Sequence, residues 1–350
     1  MTSDTFAQVS DLAKRLTRKE TDVGVLKPDK MAEYPPLTRL LEDSLRGASK
    51  RGTLLIPELR ADGNETVGVF SDYGGESADS HFLTYSVLVF GWNHAYVLQE
   101  EFKKVRSDNG FSDTTEMSYK NLRRGNLKRA LRNYLSTSDW IAGMLFTLVV
   151  DKRVRSTFVK SGRSANEGFV SLLESGGFGK RKPKVAEKLL RVVHTSAYLT
   201  GWLSGQGQKI FWMTDNDEIV PDEQKTRQTL ELFRCVLPMY SQHSYGKIGY
   251  TKPSEMDDTG QLKDFLSVTD LAAGAVEGYL TRQKKGEVAQ LKPEAETILN
   301  WLGHHGVGLK KHTMLVEPDD DDGLVCSELR FTPEVPHDKA VTIPIAVEKR

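Results

Sequence analysis

Cysteine is scarce: Cys235 and Cys326 are the two in 350 residues, and they lie far apart. That excludes the disulfide framework of a small secreted domain and a cysteine-paired zinc site. Net charge is missing as well. Lys+Arg and Asp+Glu number 48 each, for a formal charge of +0, so global charge names no partner and any polyanion-binding face must come from local clustering. Long apolar runs are also absent. The most apolar stretch, Trp140 to Val150, is too short for a membrane span, and the opening MTSDTFAQVSDLAKRLTRKE lacks the apolar core of a signal peptide. The expectation is a soluble, cytoplasmic protein with no membrane association, whose length suffices for a substantial core.

What is present begins with Val67 to Phe90, VGVFSDYGGESADSHFLTYSVLVF. An apolar run delivers Asp72 to its end, a Gly-containing turn carries Glu76, and a second apolar run returns, which reads as a hairpin. An acid at the end of a buried strand is costly unless a cation or polar partner meets it. The shape recurs at Lys209 to Thr214, KIFWMT, a compact strand followed by Asp215, Asp217 and Glu218. Trp140 to Asp151 reads as a central buried strand. Glu116 to Leu135 reads as an amphipathic helix, with Leu122, Leu127, Leu131 and Leu135 on one side and Lys120, Arg123, Arg124, Lys128 and Arg129 among its polar positions. Gln261 to Leu280 is a second helix, in which Asp270 is followed by Leu-Ala-Ala-Gly-Ala, small residues that allow a close approach to the sheet. His304, His305 and His312 lack the companions of a metal site.

Two-metal phosphodiester chemistry requires carboxylates converging from several elements, since two divalent ions about 3.5–4 Å apart share ligands and keep positions open for water and phosphate. Mg2+ and Mn2+ prefer such oxygen donors. The chain offers Asp72 at a strand end, Glu116 at a helix start, Asp215 or Asp217 at a second strand end and Asp270 on a late helix.

This succession resembles the ribonuclease H-like fold, a mixed five-stranded sheet with a divalent-metal nuclease site. More closely, FSDYGGES, EMSYKNLRRGNLKRALRNYL, GMLFTLVVDKRV, FWMTDND and FLSVTDLAAGAVEGYL resemble the domain-of-unknown-function 3800 family, with its strand ending in Asp-Glu-Ser-Gly, its vvdK-like strand end and its closing ADLxAgaxxR-like helix. The resemblance spans about residues 65 to 285. Two positions depart from the pattern: Glu76 is displaced from the place next to Asp72, and Thr269 stands where Ala is usual.

The chain reads as an α/β fold with a helical region at 1–50, a domain at 51–285 carrying a basic insertion at 152–184, and a C-terminal extension with short strands at 286–350; the resemblance makes the middle domain ribonuclease H-like. It implies a nuclease holding two Mg2+ or Mn2+ ions on RNA or DNA, with Asp72 and Asp270 shared between the ions and Glu116 and Asp215 or Asp217 completing the set. Glu76 and Lys152 would support these ligands, and Lys120, Arg123, Arg124, Lys128, Lys180 and Arg181 would hold phosphates. The alternative is an inactive descendant that binds a protein partner through its N- or C-terminal extension. Antiviral defence is a setting the family suggests by association.

Overall fold

The apolar alternation of TVGVFSDYG folds as β1 (Thr66–Gly74), which turns back into β2 (Phe82–Gly91) and then passes to β3 (Gly143–Asp151). β4 (Lys209–Thr214) and β5 (Ile248–Thr251) follow, then β6 (Leu309–Pro318), β7 (Leu324–Pro333) and β8 (Ile345–Lys349). The computed structural model describes residues 3–19, 33–112, 115–159, 166–252, 261–287, 291–320, 323–333 and 345–349. All eight strands form one mixed sheet in the order β5-β4-β1-β2-β3-β6-β7-β8. β1, β2 and β3 are an antiparallel meander, β4 runs parallel to β1, β5 to β4, and β6 to β3, while β7 and β8 pair antiparallel.

The five-stranded expectation is therefore corrected to eight, and the cause lies in β3. Every residue of GMLFTLVVD is buried, so its outer row of N–H and C=O groups would be costly to leave unpaired. β6 supplies that row in a register running from Gly143 opposite Leu309 to Val150 opposite Val316. The expected C-terminal extension is thus continuous with the central sheet.

Helices cover both faces. One face carries α2 (Pro36–Lys50), α6 (Pro183–Leu203) and α7 (Glu223–Val236) over Val67, Val69 and Val87. The other carries α3 (Ala95–Asp108), α4 (Gly125–Ser138), α8 (Gln261–Lys285) and α9 (Pro293–Leu302) over Phe70, Leu88 and Leu145. Two further helices are α1 (Ser3–Arg15) and α5 (Asn166–Ser175), the latter inside the segment expected to be a basic insertion. Leu37, Leu41 and Leu45 of α2 are fully buried, each contributing roughly 1.5–3 kcal/mol. The same region is stitched to the late strands: Ser44 Oγ donates to Cys326 O at 2.9 Å, Arg51 pairs with Glu328 at 3.0 Å, and His312 Nε2 meets Leu55 O at 2.9 Å. Thr53 to Leu59 contributes one isolated bridge, Pro57 to Thr17. Among the described residues no helix is long and apolar enough to cross a membrane, and the two cysteines are free.

The expected helix at Glu116–Leu135 also needs correction. Helix α4 starts at Gly125, behind the extended Arg124, and a single 3-10 turn covers Tyr119–Asn121. Glu116 therefore sits on irregular chain, and the residue before it is held by a buried arginine. Arg106, within α3, pairs through two nitrogens with Asp264 of α8 and donates from Nη1 to Ser112 O at 3.0 Å and Thr115 O at 2.6 Å. Tyr134 Oη adds a donor to Asp264 O at 2.8 Å. A buried ion pair of this kind is costly to break because the survivor stays buried and charged. Arg106→Met should lower unfolding free energy by about 3–5 kcal/mol in urea titration and loosen the segment carrying Glu116, visible as faster amide exchange there.

Candidate metal centre

Strand alternation sets the first ligand. Phe70 packs in the core beneath α8, and Asp72, two residues on, shares its face. Ser71 and Tyr73 point to the opposite face, towards α6. The parallel register places Thr214 opposite Ser71, so Asp215, the next residue after β4, stands level with Asp72, and its N–H donates to Ser71 O at 3.1 Å. Asp72 is 6% exposed.

Asp270 arrives from above. On α8 the positions Asp270, Gly274, Glu277 and Gly278 form a half-buried stripe, and the Glu116–Asn121 segment crosses it. Tyr119 N–H donates to Asp270 Oδ2, and the Tyr119 ring lies where any side chain on Gly274 would be: a Cβ there would come within 2.5 Å of it. The small residues after Asp270 thus admit the segment bearing Glu116 and Lys120, while Ala273 faces β2, its carbonyl accepting from Thr84 Oγ1 at 3.2 Å.

Four carboxylates act on one another here. Burial raises Asp72 well above the usual carboxylate range, and the charges of Asp270, Asp215 and Glu116 add to it. Asp270 is pushed up to about 7 by burial, then by Glu116 and Asp215, against the Tyr119 N–H and the Lys120 ammonium. Asp215 is raised by burial, with Glu116 and Asp217 adding and Lys120 opposing. An oxygen-only donor set with one nearby ammonium suits a hard divalent cation.

Asp217 is placed elsewhere. Its Oδ2 accepts from Lys188 Nζ at 2.5 Å, and the same ammonium binds Glu76. Among the described residues, the acids that can each bring one carboxylate oxygen within 4.8 Å of the others are Glu76, Asp217 and Glu218; no three of the four acids around Asp72 come that close. The tighter cluster already holds a cation, because Asp217 and Glu76 outweigh the cost of burial and hold Lys188 above the ordinary lysine range. The wider cluster has the Lys120 ammonium against four acids, and of the two strand-end acids Asp215 belongs to it.

The remaining expected residues divide. Lys120 is exposed beside the acids, Arg123 and Arg124 are exposed on the chain just after it, and Lys180 is exposed on its loop. Lys128 pairs with Glu294. Arg181 is buried, donating to Ile219 O at 2.7 Å and to Lys225 O and Thr229 Oγ1 at 3.2 Å, so it holds the β4–α7 connection and is not available to phosphate. Lys152 Nζ donates to Ser77 O at 2.6 Å and fastens the β1–β2 turn. Sequence reading passed over Lys188, Tyr73, Tyr119 and Arg106; for Lys188 a signal existed, since Glu187, Lys188 and Arg191 interrupt an otherwise apolar helix.

No family model, curated protein or solved structure matches the chain.

Without metal, Asp270 binds its proton more tightly in the folded chain, at about 7, than the ordinary 3.8 of the unfolded one. The folded state therefore holds more protons between these values, and this group's contribution to stability falls as pH rises from about 4 to 7. In EDTA, Asp270→Asn should melt higher than wild type at pH 8, by on the order of 2–4 °C per kcal/mol of repulsion relieved, and show little gain at pH 4. Gly274→Val, which drives a side chain into Tyr119, should destabilise by about 1–3 kcal/mol and weaken divalent-cation binding.

Proposed function

We propose that the protein is a divalent-metal-dependent nuclease that hydrolyses phosphodiester bonds of RNA or DNA, built on a ribonuclease H-like core. The observation that carries this reading is the convergence of Asp72, Asp215, Asp270 and Glu116 from three separate elements and a connecting segment, their charge met only in part by Lys120. The first five strands support the fold assignment: β3-β2-β1-β4-β5, an antiparallel meander followed by two parallel additions, is a mixed five-stranded unit of the kind the resemblance implies. β6 to β8 then extend the sheet beyond it.

Mg2+ or Mn2+ bound there would supply Lewis-acid polarisation of a phosphodiester and a water of lowered pKa. Asp72, Asp215, Asp270 and Glu116 are the residues that would hold the ions. Lys120 neutralises part of the acids' charge and stands ready for a phosphate, and Arg123 and Arg124 offer exposed guanidiniums along the same segment. The cytoplasmic setting belongs to this proposal.

A second reading, a non-catalytic partner protein on the same fold, is favoured by the spacing of the four acids and by the tie of Glu76 to Lys188. Its partner would meet α1, where Phe6 is 69% exposed, because the apolar face of α2 is spent on the chain's own core. Calorimetry with Mn2+ separates the readings, since the partner protein needs no divalent-ion site.

Wild type should cleave single- or double-stranded nucleic acid in Mg2+ or Mn2+ and stop in EDTA. Asp72→Asn and Asp270→Asn should each lose more than ~10²-fold; undiminished activity in both would sink the nuclease reading. Arg123→Ala with Arg124→Ala should weaken binding across sequences and flatten the plot of log affinity against log salt by roughly 0.7–0.9 per lost phosphate contact.

A further inference from the structure

We infer that Lys188 is a positioning residue that sets Asp215 against Asp72 from behind the sheet, and that Asp217 belongs to this brace and is not a metal ligand; the inference rests on the metal-centre reading above. Asp72 lies on the α8 face of β1, and Lys188 reaches the same strands from α6 on the other. Its Nζ holds Asp217 at 2.5 Å and also Glu76, joining the β4–α7 connection to the β1–β2 turn. The ammonium stands 5.0 Å from the centroid of the Tyr73 ring, and Tyr73 is the neighbour of Asp72.

Tyr73 carries the link across the sheet. Its Oη meets Ser71 Oγ at 2.9 Å and the Thr214 hydroxyl, and Thr214 immediately precedes Asp215. Trp212 Nε1 closes the set by donating to Ser71 Oγ at 3.1 Å. One buried ammonium therefore touches residues one place after Asp72 and two places after Asp215. The connection beyond β4 is tightened further by the backbone, with Val220 N–H donating to Asp217 O at 2.9 Å.

Removing the ammonium would do more than delete a contact. Glu76, Asp217 and Glu218 keep their oxygens within 4.8 Å of one another, and without Lys188 these like charges repel. The connection would open and carry Asp215 away from Asp72. Were Asp217 itself a ligand, the same deletion would free its carboxylate and tighten the cation's hold, so the two roles predict opposite signs.

The test is Mn2+ binding, by calorimetry and by the bound-ion EPR spectrum, on wild type, Lys188→Met, Lys188→Arg and Asp217→Asn, each checked for folding by melting in EDTA. Lys188→Met should weaken Mn2+ about tenfold with a changed spectrum, and Lys188→Arg should restore most of the affinity. Asp217→Asn, whose amide oxygen still accepts from Lys188, should stay within about threefold of wild type, well short of the effect of disturbing a ligand's own support. In cleavage assays, saturating Mn2+ should return Lys188→Met to near wild-type kcat. Equal or tighter Mn2+ binding by Lys188→Met would overturn the inference. Should that variant not fold, Asp217→Asn decides alone, a loss beyond tenfold marking Asp217 as a ligand. Wild type that binds no Mn2+ would overturn the metal-centre reading itself, and the inference with it.

Discussion

The acidic centre depends on the register of β4 against β1. Because β4 runs parallel to β1 with Thr214 opposite Ser71, the residue after β4 arrives level with Asp72, at the end where both strands point. A shift of one residue would turn Asp72 to the other face or bring Asn216 into the place of Asp215. That register is held by the core on each side, and by the hydroxyls of Tyr73, Ser71 and Thr214, which connect the two strands beneath the acids.

Two acidic groups lie side by side at this end and are treated in opposite ways. Glu76 and Asp217 are closed by an ammonium from α6, so their charge is internal to the fold. Asp72, Asp215, Asp270 and Glu116 have an exposed lysine, Lys120, nearby, and burial together with their neighbours' charge raises the proton affinities of Asp72, Asp215 and Asp270. Holding such a group costs the fold stability. The second helical face makes the arrangement possible: Gly274 and Gly278 leave α8 bare where Tyr119 crosses it, and Arg106, tied to Asp264 of the same helix, fixes the chain that leads to Glu116.

Much of the local structure was legible in the residues. The hairpin around Asp72, the buried strand at β3, the strand before Asp215 and the helix bearing Asp270 follow from apolar period and turn chemistry. Glu116 was misread as helical because the leucine spacing of α4 extends naturally backwards, and nothing local reveals that the Tyr119 N–H is committed to Asp270. Arg181 was read as a phosphate contact because a basic run in a Gly-rich segment looks solvated; its burial depends on the carbonyls of Ile219 and Lys225, which arrive from another part of the chain. The strand count failed for a related reason, since the need of β3 for a partner is visible in its apolarity but the identity of that partner is not.

The sequence by itself determined which residues could be dry and which acids would stand at strand ends, because period, side-chain size and turn residues act over a few neighbours. Only the tertiary structure puts Asp215 and Asp217 in different surroundings. Both follow the same strand within three residues and have the same chemistry, so no local rule separates them. What separates them is a lysine on α6, 29 residues before Asp217 in the chain, whose ammonium claims one carboxylate and leaves the other facing Asp72.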